Sequence, residues 1–169
     1  MSSYSKREVN LSISNLNDMI KYYNDQIEKI DEIAKQALNE TVEYGKEFIL
    51  NEANKIRLPD EKNAYKSSYI VKAEKVGNQI EASIRTDDEK ATYAENGTGI
   101  VGSRHPNTTI KGWVYDVNNH GEAGWNYKGS DGKYHHTKGI PAQKIYYQAS
   151  RKMKIKIREA FKEAWENMR

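Results

Sequence analysis

The stretch Tyr93-Ala94-Glu95-Asn96-Gly97-Thr98-Gly99-Ile100-Val101-Gly102 opens a fifty-residue region, 93–142, that decides the fold. The region carries Gly112-Trp113-Val114-Tyr115 and Gly124-Trp125-Asn126-Tyr127 in its middle and closes on Gly139-Ile140-Pro141-Ala142. It holds most of the glycines and two of the three prolines, so the backbone must turn often there. Both flanks read as helix. A turn-rich centre between two helices is the expected architecture, and specific function is expected in that centre.

Working outward, the N-terminal flank places apolar residues at Ile13, Leu16, Ile20, Tyr23, Ile27, Ile30, Ala34 and Ala37, an alternation of three and four that makes a heptad seam. The pattern then drifts to Leu38, Val42, Gly45, Ile49, Ala53 and Ile56, closer to a straight helix packed on a domain. Helical throughout, residues 13–56 would span roughly 65 Å at 1.5 Å per residue, wider than a compact domain of this size. Two arrangements answer that length. One is an antiparallel helical hairpin broken near Asn39 or Gly45. The other, which the regularity of the seam favours, is an arm over residues 1–40 that meets a neighbouring subunit, followed by a domain over 41–169. Arg57-Leu58-Pro59-Asp60 ends the element.

Residues Tyr69 to Ala73 and Ile80 to Ile84 alternate apolar and polar on either side of Gly77-Asn78, a hairpin signature. Its apolar face is expected to lie on residues 38–56. Thr86 to Lys90 reads as a charged turn and 93–106 as loop. The two Gly-Trp-x-Tyr units, offset by twelve residues, read as a second hairpin whose four rings gather on one face of a sheet. A further turn at Gly129-Ser130-Asp131-Gly132 connects Trp125 to Lys128 with Lys133 to Thr137. The expected fold class is therefore α+β: a long N-terminal helix, one small antiparallel sheet of about five short strands with Gly-rich loops, and a C-terminal amphipathic helix. That last helix is expected to start with Pro141 in its first turn and to carry the stripe Ile145, Ala149, Met153, Ile157, Ala160, Phe161, Ala164, Trp165 and Met168.

Chemistry is scarce in the pattern. Gly97, Gly99 and Gly102 match the spacing of a dinucleotide loop, but the expected continuation through Ser103-Arg104-His105-Pro106 as loop removes the required helix. Adjacent His135 and His136 face opposite sides of a strand, and His105 and His120 sit in loops without cysteine or paired carboxylates, which argues against a metal site. No nucleophile elbow, H-E-x-x-H or carboxylate pair frames the serines, histidines and aspartates. No cofactor is expected and the chain reads as a non-enzyme. There is no cysteine among 169 residues. With 27 basic and 24 acidic side chains interspersed, the net charge of +3 makes no broad field for nucleic acid or lipid. No apolar run is long enough for a signal peptide or a membrane span, so a soluble protein made in the cytosol is expected. Trp113, Tyr115, Trp125 and Tyr127 with nearby lysines leave single-stranded nucleic-acid binding as the alternative.

The order Tyr93-Ala94-x-x-Gly97-Thr98-Gly99, His105-Pro106, Gly112-Trp113-x-Tyr115, His120-Gly121-Glu122, Gly124-Trp125-x-Tyr127, Thr137-x-Gly139-x-Pro141-Ala142 resembles the tail-component proteins of long-tailed phages, the tail-completion or head-tail neck proteins. The resemblance covers about residues 40–165. It implies a structural subunit that closes a ring, six copies being the expectation, at the head-tail joint of a virion, in contact with neighbouring neck, connector or tail proteins. Nucleic acid would then enter only as DNA passing through the ring, and no membrane is involved. Related sequences often have Phe-Gly at Asn96-Gly97, which here puts an exposed polar contact in place of a buried aromatic. The expected subunit contacts are Ile13, Leu16, Ile20, Tyr23, Ile27 and Ile30 on the arm, with Asn96, Gly97, Thr98, Trp113, Tyr115, Trp125 and Tyr127 in the centre.

Overall fold

The computed structural model describes residues 16–107, 111–117 and 121–168. In chain order these form α1 (Leu16–Ala53), α2 (Pro59–Lys66), β1 (Tyr69–Val76), β2 (Gln79–Arg85), α3 (Glu89–Asn96), α4 (Gly99–Arg104), β3 (Trp125–Lys128), β4 (Tyr134–Thr137) and α5 (Ile145–Asn167). The class is α+β, with a long helix at one end and an amphipathic helix at the other. Among the described residues no helix is long and apolar enough to cross a membrane.

Helix α1 runs unbroken for 38 residues, roughly 57 Å. The expected break at Asn39 or Gly45 is absent, and each of those residues has a packing role instead. The buried positions of α1 include Ile33, Ala37, Thr41, Gly45, Ile49 and Ala53, spaced by four. At 100° per residue each such step drifts about 40° around the helix, so this stripe winds from one neighbour to the next. Near its start Ile33 and Ala37 meet Ala160, Ala164 and Ile157 of α5. Near its end Ile49 and Ala53 meet Tyr65, Ala94, Ile145 and Ala149. Helix α5 therefore lies antiparallel to α1. Ile33 and Ile49, at 3% and 1% exposed, each contribute about 1.5–3 kcal/mol by leaving water. Small residues let the two backbones approach, and a Cβ on Gly45 would meet the Met153 side chain.

The ribbon β1–β2 forms as the Gly77-Asn78 turn predicts, with Val76 opposite Gln79 and Tyr69 opposite Arg85. Its register shifts between Val71 and Glu74, a bulge that leaves a strand N–H without a ladder partner. Asn39 fills that gap: its side-chain oxygen accepts from Ala73 N at 2.7 Å, tying the ribbon to α1.

Several expectations fail for physical reasons. There is no five-stranded sheet among the described residues, only two separate two-stranded ribbons, β1–β2 and β3–β4. Trp113 and Tyr115 are not in a strand. Trp125–Lys128 does pair with Tyr134–Thr137 across the Gly129–Gly132 turn, as expected, but residues 112–115 do not join it as a further strand. Alternation alone could not say which neighbour a strand would choose. Residues 86–106 are largely helical, because Asp88 caps α3 by accepting from Lys90 N at 2.9 Å and alanines carry the helix onward. Helix α1 ends at Ala53, ahead of the expected stop at Arg57–Asp60, and Pro59 instead opens α2 as its first helical residue. Pro141 lies four residues ahead of α5, which begins at Ile145 behind Lys144 in the left-handed region, φ 58°.

The notch at Gly45 is directly testable. Gly45→Val should cost about 1–3 kcal/mol in urea unfolding through overpacking against Met153, and adding Met153→Ala should recover part of that loss.

Candidate functional site

Two features stand out in the described residues: an interlocked glycine-rich centre with a cleft beside it, and an uncovered helical arm.

The centre is built around the elbow between α3 and α4. Helix α3 ends at Gly97, φ 83°, and α4 starts at Gly99, φ 58°. A Cβ at Gly97 would stand 2.9 Å from Ala142 N, and one at Gly99 would stand 2.5 Å from Lys138 O, so neither position has room for a side chain. Thr98 N donates to Ile140 O at 2.9 Å, and Ile140 N returns a bond to Thr98 Oγ1 at 3.3 Å. Val101 N donates to Lys138 O at 3.2 Å and Gly99 N to Tyr115 O at 2.7 Å. The Gly-Thr-Gly and Gly-Ile-Pro-Ala segments, which stand apart in sequence, therefore form one backbone junction.

Glu95 joins this junction to the helices. Helix α5 has no side-chain cap of its own. The Glu95 carboxylate accepts from Tyr146 N at 3.0 Å and Tyr147 N at 2.9 Å, the orphan amides of that helix start. It also accepts from the buried Tyr65 hydroxyl at 2.9 Å. Burial first, then the Glu95 charge, pushes the Tyr65 hydroxyl far above the ordinary tyrosine range, so it stays a donor. Asn96 and Asn107 are 3% and 2% exposed and pair at 3.2 Å, while Asn96 Nδ2 donates to Thr92 O at 3.0 Å. The expected exposed polar contact at Asn96 is thus a buried one, satisfied inside the chain.

The four rings do not share one face. Trp113 leans on Tyr93, centroids 6.0 Å apart, and its indole N–H donates to Gly97 O at 2.9 Å. Tyr115, Trp125 and Tyr127 instead wall a cleft of about 680 Å³ between α2, residues 113–117 and the β3–β4 ribbon. Asp60 and Glu61 of α2 also line it. Asp60 accepts from Ser130 N at 3.3 Å and pairs with Lys90 at 3.5 Å; the Ser130 side chain first, then the Lys90 charge and the Ser130 amide, hold its carboxyl below the usual range. Glu61 is the opposite case. Its Oε2 is buried without a hydrogen-bond partner among the described residues, and burial pushes its carboxyl up. Burial, with Glu61 and Asp60 nearby, also raises the Tyr127 hydroxyl.

His135 engages Asp131 at 3.0 Å and His136 engages Asn126 at 3.1 Å. Among the described residues no three His, Cys, Asp or Glu gather to hold a metal. His120 lies outside the described residues.

On the arm, Leu16, Ile20, Tyr23, Ile27 and Ile30 are 46% to 59% exposed. Ile13 lies outside the described residues. At 100° per residue the seam of these five sits roughly 80° around the helix from Ile33 and Ala37, the positions α5 covers. Burial passes to Ile33, not to the Ala34 of the heptad reading. Met19 and Tyr22, exposed as well, lie in line with Ile33 and Ala37, so the arm's apolar surface is broader than the seam.

Sequence reasoning missed Glu95, Glu61 and Asn107. The signal for Glu95 was indirect: Gln143-Lys144 offers no capping side chain before a strong helix, so a cap had to come from elsewhere. Comparison with protein-family models, characterised proteins and solved structures gives no match.

Glu95→Ala should cost about 3–5 kcal/mol in urea unfolding, because two helix amides and a buried hydroxyl lose their acceptor, while Glu95→Gln, which keeps one acceptor oxygen, should cost less. Glu61 should show the opposite sign. Its folded-state carboxyl holds a proton more tightly than the unfolded chain does, so stability falls as pH rises through and above about 4.3. Thermal melts should therefore find Glu61→Gln level with the parent below about pH 4 and more stable than it at pH 7.

Proposed function

We propose that the chain is a non-enzymatic structural subunit of a phage or phage-tail-like particle, closing a ring of six at the head-tail joint as a tail-completion or connector protein. The observation that carries the assembly part is the arm. From 16 to 30 every residue is exposed except half-buried Gln26, and roughly 22 Å of helix presents an apolar seam that nothing among the described residues covers. A regular three-four seam on a projecting helix fits a second helix. Contacts between unlike surfaces close a ring when the rotation repeats, which is how a small asymmetric subunit builds one.

The placement at a phage neck rests on the resemblance in the centre. Its motif residues serve backbone geometry: Gly97 and Gly99 take positive φ and Thr98 pairs with Ile140, while Glu95, between motif positions, caps α5. A framework of this kind suits a part that must be rigid and carries no reaction. Asn96 and Gly97, once candidates for subunit contacts, make their contacts within the chain, so the arm is the surface assigned to the neighbour. Single-stranded nucleic-acid binding draws less support, since the rings divide between two sides and the Trp113 indole N–H is already engaged.

Light scattering across a concentration series should show the parent passing from monomer to a closed oligomer. Ile20→Asp with Ile27→Asp should keep the monomer's melting temperature, both positions being exposed, and should shift assembly to much higher concentration. A parent that stays monomeric at every concentration, alone and with neck or tail proteins, would sink the proposal.

A further inference from the structure

The cleft beside the centre has features that the assembly reading does not use. Its volume, about 680 Å³, is that of a ligand site and exceeds one side chain. Four aromatic residues, Tyr93, Tyr115, Trp125 and Tyr127, wall it, and their ring faces are electron-rich. The charged groups lining it are Asp60, Glu61 and Asp116 against Lys90 and Lys128. Lys90 is committed to Asp60 at 3.5 Å. Glu61 remains with a buried oxygen that no donor among the described residues satisfies, an arrangement native proteins seldom leave unexplained.

We propose that this cleft receives a lysine or arginine side chain, with the peptide flanking it, from a partner polypeptide. An ammonium or guanidinium among Trp125 and Tyr127 gains cation–π attraction, and the Glu61 carboxylate compensates its charge in a partly desolvated place. The aliphatic stem lies against the aromatic walls, where an uncharged side chain of equal length would gain the burial alone. The cleft belongs to one copy of the chain, so the inference stands whether or not the arm assembles a ring.

Titration followed by the Trp125 indole and the β3–β4 amides in NMR tests it, using N-acetyl-arginine amide and N-acetyl-lysine amide as the peptide mimics. Saturable shifts confined to the cleft are expected, with affinity in the millimolar range of a single side chain. Glu61→Gln should weaken binding roughly tenfold, and Glu122→Gln, an exposed change outside the cleft, should leave it as in the parent. Several results would overturn the proposal: no saturation, shifts elsewhere on the molecule, equal binding of N-acetyl-norleucine amide, or equal binding by Glu61→Gln. Tighter binding of putrescine than of the blocked amides would assign the cleft to a free polyamine and overturn the polypeptide as its source.

Discussion

Three hydrogen bonds converge on the Glu95 carboxylate, and the rest of the protein depends on them. Glu95 stands near the C-terminal end of α3, where the helix dipole disfavours an acid, yet it meets the positive start of α5 and satisfies two amides there. Its third donor, Tyr65, is fully buried and packs on Tyr146, ring centroids 5.0 Å apart. One side chain thus fixes α2, α3 and α5 relative to each other. Helix α5 in turn covers α1, and α1 carries the β1–β2 ribbon through Asn39. With that anchor in place, the glycines at 97, 99 and 139 serve a defined purpose. A Cβ at Gly139 would collide with Thr98 O, so the junction between residues 97–99 and 138–142 exists only because the side chains are absent.

The molecule divides into a region that is finished and one that is not. The centre satisfies its polar groups internally: Asn96 with Asn107, Thr98 with Ile140, Trp113 with Gly97. The arm does the reverse and leaves seven large apolar side chains about half exposed, ahead of the stretch at Ile33 and Ala37 that α5 covers. Rigidity in the first region and incompleteness in the second are what an assembly part requires, because a contact surface needs a fixed base from which to project.

What the sequence disclosed follows the range of each interaction. The helix of 16–53, the turn at Gly77-Asn78 and the stripe of α5 rest on local periodicity, and all three were legible. The arm seam was legible too, although the change to four-residue spacing at Ile33 depends on where α5 crosses. Choices between distant partners were hidden. The turn at Gly129–Gly132 disclosed the pairing of Trp125–Lys128 with β4, but nothing local disclosed that residues 112–115 stay out of that ribbon. The helices α2, α3 and α4 were obscured by glycine and proline that punctuate short helices as readily as loops. Glu95 looked like any acid on a helix, and Glu61 like any surface carboxylate, until folding buried them.

Hydrogen exchange measured residue by residue at low and high protein concentration tests this division most directly. The account predicts that the amides of Thr98, Tyr146 and Tyr147 exchange slowly and alike at both concentrations, while those of residues 16–30 exchange fast when dilute and slow markedly when concentrated. Fast exchange at Tyr146 and Tyr147 when dilute, or an arm whose exchange is the same at both concentrations, would contradict it.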